Sequence, residues 1–147
     1  MENKSKRDEV IELATKLFIY TDYQWWDKLL EEVLTENVWF DMSSLGAGAG
    51  KNLSAKEICD MWKAGFAGID AVHHQAGNFL VDFKSEAIEA KVLCYAIALH
   101  YKKAATQGNT REFVGSYDLH CVLTDKGWRI DSFTYNIKYS NGNVDFK

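Results

Sequence analysis

Proline is missing from all 147 residues, so every turn in this chain relies on Gly, Asn, Asp and Ser. Cysteine is scarce. Cys59, Cys94 and Cys121 show no CxxC or Cys/His spacing, which argues against a structural zinc. An odd number of thiols in apolar surroundings points to reduced, buried cysteines and a cytoplasmic protein. No stretch approaches the roughly 18 uncharged apolar residues that a membrane span needs. Positive charge is short too: the net charge is −4 and the pI is about 5.5. The only basic cluster, Lys4, Lys6 and Arg7, lies in a polar N-terminus and reads as a solvated tail, so a nucleic-acid surface is excluded. That N-terminus has the pattern of neither a signal peptide nor a transit peptide. There is no GxGxxG after a strand, no P-loop and no helical metal-ligand motif, so no cofactor and no metal is expected.

What the chain does have is 47% hydrophobic residues, 14% of all residues being aromatic, enough for one domain spanning 1–147 with a sizeable core. Residues 6–20 carry Val10, Ile11, Ala14, Leu17 and Phe18 at helical spacing. Residues 23–34 repeat the stripe with Trp26, Leu29, Leu30, Val33 and Leu34, and Asp22 at the junction suits the cap of that second helix. Val38 to Met42 reads as a short strand. Residues 43–50, with Gly46, Gly48 and Gly50, read as a mobile loop able to act as a lid. Ser54 and Glu57 form a capping box for a third helix with Ile58, Met61, Trp62 and Phe66 on its apolar face, ended by Gly65 and Gly68.

From residue 72 the hydrophobic period changes to two. Four strands follow, roughly 72–83, 87–102, 110–124 and 127–139, linked by turn-like segments. The implied class is α+β, helices first and an antiparallel meander after, with the helices on one face of a curved sheet. The strand around 92–99 is apolar on both faces. One face meets the helices or a cavity, and the other asks for a second subunit, so a homodimer through the sheet is expected.

Three polar side chains fall where the surrounding pattern does not require them: Asp22 at the helix junction, His74 at the start of a strand and His100 at the end of an apolar run. Their convergence would make a metal-free acid/base site, because histidine donates or accepts protons near neutral pH. His73 and His74 point to opposite faces of their strand, so only one meets the cavity. Cys94, Ala96 and Ala98 share a face with His100 and leave room in front of the sheet. Asp118 shares a face with Val114, Ser116 and His120 and lies either in the cavity or paired with His120. Asp41 ends the first strand; if buried, its acid form is favoured. Arg111 and Arg129 are not clearly cavity-facing.

This element order, with Asp22 in an aromatic-rich junction and Gly127-Trp128-Arg129-Ile130 opening the last strand, resembles the NTF2-like superfamily and within it the SnoaL-like group, whose relatives include scytalone dehydratase and bile acid 7α-dehydratase. The resemblance implies a cone of curved sheet closed by three helices around a pocket. It carries Asp22, His74 and His100 over as catalytic positions, and Asp118 as a polar position on the following strand. Thr21 and Met42 stand where scytalone dehydratase has carbonyl-activating tyrosines, and Tyr20, Tyr23, Tyr95 or Tyr117 are the candidates to replace them. A ketosteroid-isomerase register instead brings forward Asp41 as base and Asp118 as a protonated donor.

The function expected from this is a cofactor-independent dehydratase or proton-shifting isomerase acting on a hydrophobic cyclic hydroxy-carbonyl molecule. His74 is its base and acid, Asp22 its orienting carboxylate, and His100 and Asn78 hold substrate oxygens, with Asp118, Asp41, Tyr95 and Trp62 as further binding positions. The alternative is a small-molecule-binding or dimeric assembly module on the same fold.

Overall fold

The computed structural model describes residues 4–147. Helix α1 (Lys6–Asp22) begins where Ser5 accepts the backbone N–H of Asp8 and the Asp8 carboxylate accepts that of Ser5. This reciprocal cap satisfies two of the helix's unpaired donors. The helix buries Val10, Leu13, Ala14, Leu17, Phe18 and Thr21. Each of the larger side chains contributes about 1.5–3 kcal/mol on leaving water, so this stripe fixes how the helix lies on the sheet and where Asp22, at its last turn, ends up. Lys6 and Arg7 belong to the helix and donate to the carbonyls of Ala87 and Phe79, rather than floating in a tail; Met1 to Asn3 lie outside the described residues.

The second helix is shorter than its hydrophobic stripe suggests. Helix α2 (Trp26–Lys28) passes directly into a π-helical turn, Leu29–Val33. The wider turn buries both Leu29 and Val33 and releases Leu34 to begin strand β1 (Leu34–Asp41), where it pairs with Ile130. Helical spacing and strand start therefore overlap at residues 33 and 34, which is why the sequence pattern runs the helix one residue too far and starts the strand late. A four-residue edge strand, β2 (Lys51–Ser54), lies between the glycine loop and the third helix, where the hydrophobic pattern assigns no element, and pairs antiparallel with β1. Helix α3 (Ala55–Gly65) follows at once, with Ser54 and Glu57 forming the expected capping box. The helices thus do not all precede the sheet.

Strands β3 (Ala71–Lys84), β4 (Glu89–Tyr101), β5 (Thr110–Thr124) and β6 (Gly127–Gly142) form the antiparallel meander. The full sheet has the order β2-β1-β6-β5-β4-β3. It is mixed, because β1 runs parallel to β6. A parallel neighbour needs a long crossover, and here the whole chain from α3 to β5 supplies it. The inner face of the sheet packs against the helices through residues such as Val92, Cys94, Ala96, Tyr117, Leu119, Ile130 and Phe133. Cys59, Cys94 and Cys121 are free and buried. Burial pushes their thiols up, to about 11 for Cys59 and about 12 for the other two, so they stay protonated and unreactive. Among the described residues no helix is long and apolar enough to cross a membrane.

Candidate active site

Between α1, α3 and the inner face of the sheet lies a cavity of about 360 Å³. Aromatic rings make much of its wall, including Phe18, Phe40, Phe66, Phe113, Phe133 and Trp62. Trp62 comes from α3 and packs against Phe40 and Phe133 with ring centres 6.0 and 5.7 Å apart. The polar groups that reach this space are few, and His74, His100 and Arg111 are among them.

His74 and His100 stand on neighbouring strands on the same face. In the β3–β4 register, His74 lies opposite Ala98 and His100 opposite Val72. Behind His74 is Asp22. One carboxylate oxygen lies 2.5 Å from His74 Nδ1, and the other accepts the His74 backbone N–H at 2.7 Å. Both side chains are about nine-tenths buried, at 12% and 10% exposure. Since a carboxylate only accepts, it keeps a proton on Nδ1, and in the neutral ring Nε2 then carries the lone pair. The ring is further held by Phe18, centred 5.4 Å away. Asp22 does not cap the second helix: its N-cap is Trp25, with no side-chain cap bond. The helix junction instead uses Gln24 at φ 57° to turn the chain, and that turn leaves Asp22 pointing across to β3.

His100 is built differently. Its Nδ1 accepts the Nε–H of Arg111, which lies directly opposite on β5, at 3.0 Å. Phe66 meets its ring edge-on at 5.8 Å and Phe113 lies 5.6 Å away. Burial, then the Arg111 charge, then His74 hold its pKa down at about 4, so His100 is neutral at physiological pH. Arg111 is the cavity-lining polar group that pattern reading did not place there. The signal for it is register: once β4 and β5 pair as a hairpin, residue 111 must face residue 100.

The other expected positions fall elsewhere. In β3, residues Gly77 and Leu80 lie opposite Tyr95 and Leu93, which puts one extra residue into the strand. Asn78 occupies this bulge at φ 57° and is exposed. Alternation from His74 should bring it inward; the bulge turns it out, to a hollow on the other face that it shares with Tyr95 and Lys138. Tyr95 is 49% exposed there, with the Lys138 ammonium 4.1 Å from its ring centre. Asp118 also lies on this outer face, exposed and accepting from the Asn136 amide at 2.9 Å. The inward face of β5 is the Phe113, Gly115, Tyr117, Leu119 set. Its neighbour His120 pairs with Asp131 at 2.6 Å, not with Asp118. Asp41 ends β1 half-exposed and accepts the Ser43 backbone N–H at 2.9 Å. The Ser43 hydroxyl and then its backbone N–H hold the Asp41 carboxyl below the usual carboxylate range, so the charged form is favoured, opposite to the acid form that a buried position implies.

The tyrosines at the cavity are Tyr117 and Tyr135. Burial raises both phenols, Tyr135 to about 12 and Tyr117 further, so both remain O–H groups. Thr21 is buried with its hydroxyl donated to the Leu17 carbonyl at 2.6 Å, and Met42 lines the wall without a donor. The glycine loop is tied down. Ser44 donates to the Tyr135 carbonyl at 2.7 Å and accepts the Ile137 N–H at 3.1 Å, holding Leu45 and Ala47 against the cavity. Among the described residues, no group of three or more His, Cys, Asp or Glu side chains is arranged to hold a metal.

A model of the SnoaL-like domain matches residues 3–134. The chain belongs to the SnoaL-like family. The fold is accordingly NTF2-like. The Kfla4162 protein of Kribbella flavida superposes with a TM-score of 0.89 at 25% identity, covering 96% of this chain and 95% of its own. A candidate scytalone dehydratase from Novosphingobium aromaticivorans gives 0.76 at 15% identity, covering 90% and 84%. The LinA-type3 hexachlorocyclohexane dehydrochlorinase of Novosphingobium barchaimii gives 0.77 at 14%, covering 92% and 88%. At those identities the last two bear on the fold alone. No curated protein matches the chain.

Proposed function

We propose that this chain is a cofactor-independent lyase, a dehydratase or proton-shifting isomerase, acting on a hydrophobic cyclic hydroxy-carbonyl molecule. The observation that carries the reading is Asp22 bound through both oxygens to His74 at the wall of an apolar cavity. In this reaction Nε2 of His74 takes the proton from the carbon beside the carbonyl. Asp22 compensates the charge that forms on the ring, as an orienting carboxylate does for a catalytic imidazole. The same proton is then returned to the departing hydroxyl, which leaves as water, and acid–base catalysis of this kind contributes about 10²–10⁴-fold. His100 holds the carbonyl oxygen, and the aromatic wall, Trp62 among it, holds the rings. A cavity of about 360 Å³ suits a small cyclic molecule.

The binding-module reading has one observation in its favour: Thr21 is committed to Leu17 and Met42 offers no donor, so the tyrosine-type activation of a carbonyl has no counterpart at those positions. Incubation with a panel of cyclic β-hydroxy ketones decides between them. Loss of water with a bell-shaped pH dependence that vanishes in His74→Ala supports the enzyme; saturable binding with no product over days refutes it.

The outer face of the sheet is proposed to pair with a second copy of the chain. Leu80, Leu93, Tyr95, Ile97, Leu99 and Tyr139 are 36–68% exposed there, forming an apolar surface of the kind that marks an interface. Buried free thiols suit a reducing cytoplasm.

A further inference from the structure

Arg111 has no part in the proton transfers described above, yet it is one of the most fully engaged side chains at the cavity. Its Nε–H goes to His100 Nδ1 at 3.0 Å, and a terminal nitrogen donates to the Val144 carbonyl at 2.6 Å. Its guanidinium carbon lies 4.4 Å from the Phe146 ring centre and 5.4 Å from that of Phe113. Val144 and Phe146 belong to the last five residues, which fold back on the sheet. Asn143 Nδ2 donates to the carbonyls of Gly108 and Lys147, the Lys147 carbonyl accepts the N–H groups of Thr106 and Gln107, and Phe146 is 8% exposed. The segment anchored in this way holds the guanidinium through the Val144 carbonyl and the Phe146 ring.

A guanidinium has only N–H donors and does not lose its charge in proteins. A histidine nitrogen facing it must therefore be a lone pair, which leaves the other nitrogen, Nε2, as the ring's N–H. We propose that Arg111, clamped by the C-terminal residues Val144 and Phe146, is a positioning residue that locks His100 as an Nε2–H donor for the carbonyl or enolate oxygen of the substrate. The inference rests on the reading of the site as one that handles a carbonyl compound. The two histidines then have separate tasks set by their partners. A carboxylate behind His74 leaves a lone pair at Nε2, which moves protons. A cation behind His100 leaves an N–H at Nε2 and polarises it toward negative charge developing on oxygen, in a water-poor site where such a donor is most effective. The charged and titratable groups around His100 are Arg111 from β5, His74 from β3 and Asp22 from α1; Phe66, the residue that caps the end of α3, meets it with an uncharged ring.

The test is nitrogen-15 NMR of the histidine rings in the full chain, with 4-nitrophenol as probe because its phenolate oxygen stands in for an enolate. In the parent, His100 should hold a single Nε2–H form from pH 5 to 9, and saturating 4-nitrophenol should move its Nε2 resonances. Arg111→Met should shift the Nδ1 resonance, let the ring titrate nearer the ordinary range and weaken 4-nitrophenol about tenfold, the loss expected of one charge-assisted hydrogen bond. Arg111→Lys should restore part of each effect, and Phe146→Ala should move the same resonances in the same direction. His100 protonated at Nδ1, or unchanged resonances in Arg111→Met, would overturn the proposal. If Arg111→Met does not fold, the parent spectrum and Phe146→Ala decide alone. Failure to dehydrate any hydroxy ketone with the His100 state as described would instead count against the proposed reaction and leave the positioning role standing.

Discussion

The bond between Asp22 and His74 gives a prediction whose size can be worked from the geometry. Asp22 makes two bonds, to the ring Nδ1 and to the backbone N–H of the same residue. Replacing it by Ala leaves both donors unpaired in a nearly dry place, and each charge-assisted bond is worth about 1.5–3 kcal/mol. Part of that loss is offset, because a carboxylate in the last turn of α1, where no basic residue stands, faces the negative end of the helix at a cost of about 0.3–1 kcal/mol. The net loss for Asp22→Ala should be about 3–4 kcal/mol. Asp22→Asn keeps the backbone bond and relieves the dipole, so it should lose only about 1 kcal/mol.

The decisive comparison is Asp22→Ala in a His74→Ala background. That background keeps the backbone bond and lacks the ring, so the same substitution should there cost only about 1–2 kcal/mol, a coupling of about 1.5–3 kcal/mol between the two positions. Urea unfolding of the four proteins at pH 8, at one protein concentration because a dimer's midpoint depends on it, measures all of this. Equal costs of Asp22→Ala in both backgrounds would refute the pairing of the carboxylate with the ring.

Other outcomes follow from single features. Gly115→Ala should destabilise by more than the about 1–3 kcal/mol of ordinary overpacking, since its Cβ would lie 2.3 Å from the Asn136 carbonyl and 2.8 Å from the Tyr135 hydroxyl; thermal unfolding checks this. His100, held at about 4 when folded and near the ordinary histidine value of 6.5 when unfolded, binds its proton more readily in the unfolded chain. Its stabilising contribution is therefore full above pH 6.5 and lost as the pH falls toward 4, about 3 kcal/mol in all, and His100→Leu should flatten that part of the stability–pH profile. Ile97→Lys, on the outer face, should convert a dimer to monomer in light scattering with the fold intact by circular dichroism; a parent that is already monomeric at high concentration sinks the dimer proposal.

The sequence alone determined the parts of this protein that are encoded locally. Period-two alternation located four long strands to within a few residues, and the Ser54–Glu57 cap marked the start of α3, because side-chain direction and backbone satisfaction depend on near neighbours. It also singled out Asp22, His74 and His100 as polar groups out of place. Tertiary structure decided what those groups meet. Asp22 reaches His74 across 52 positions of chain, a contact set by how α1 packs on β3 and not by anything around either residue. The bulge in β3 sent Asn78 outward, and the choice of which face of β5 turns inward put Asp118 on the surface and Tyr117 in the wall. Alternation tells two faces apart without naming the buried one when both carry apolar residues. The parallel pairing of β1 with β6 and the meeting of Arg111 with His100 arise in the same way, from register between distant strands, and the C-terminal residues acquire their role only because the fold returns them to the arginine.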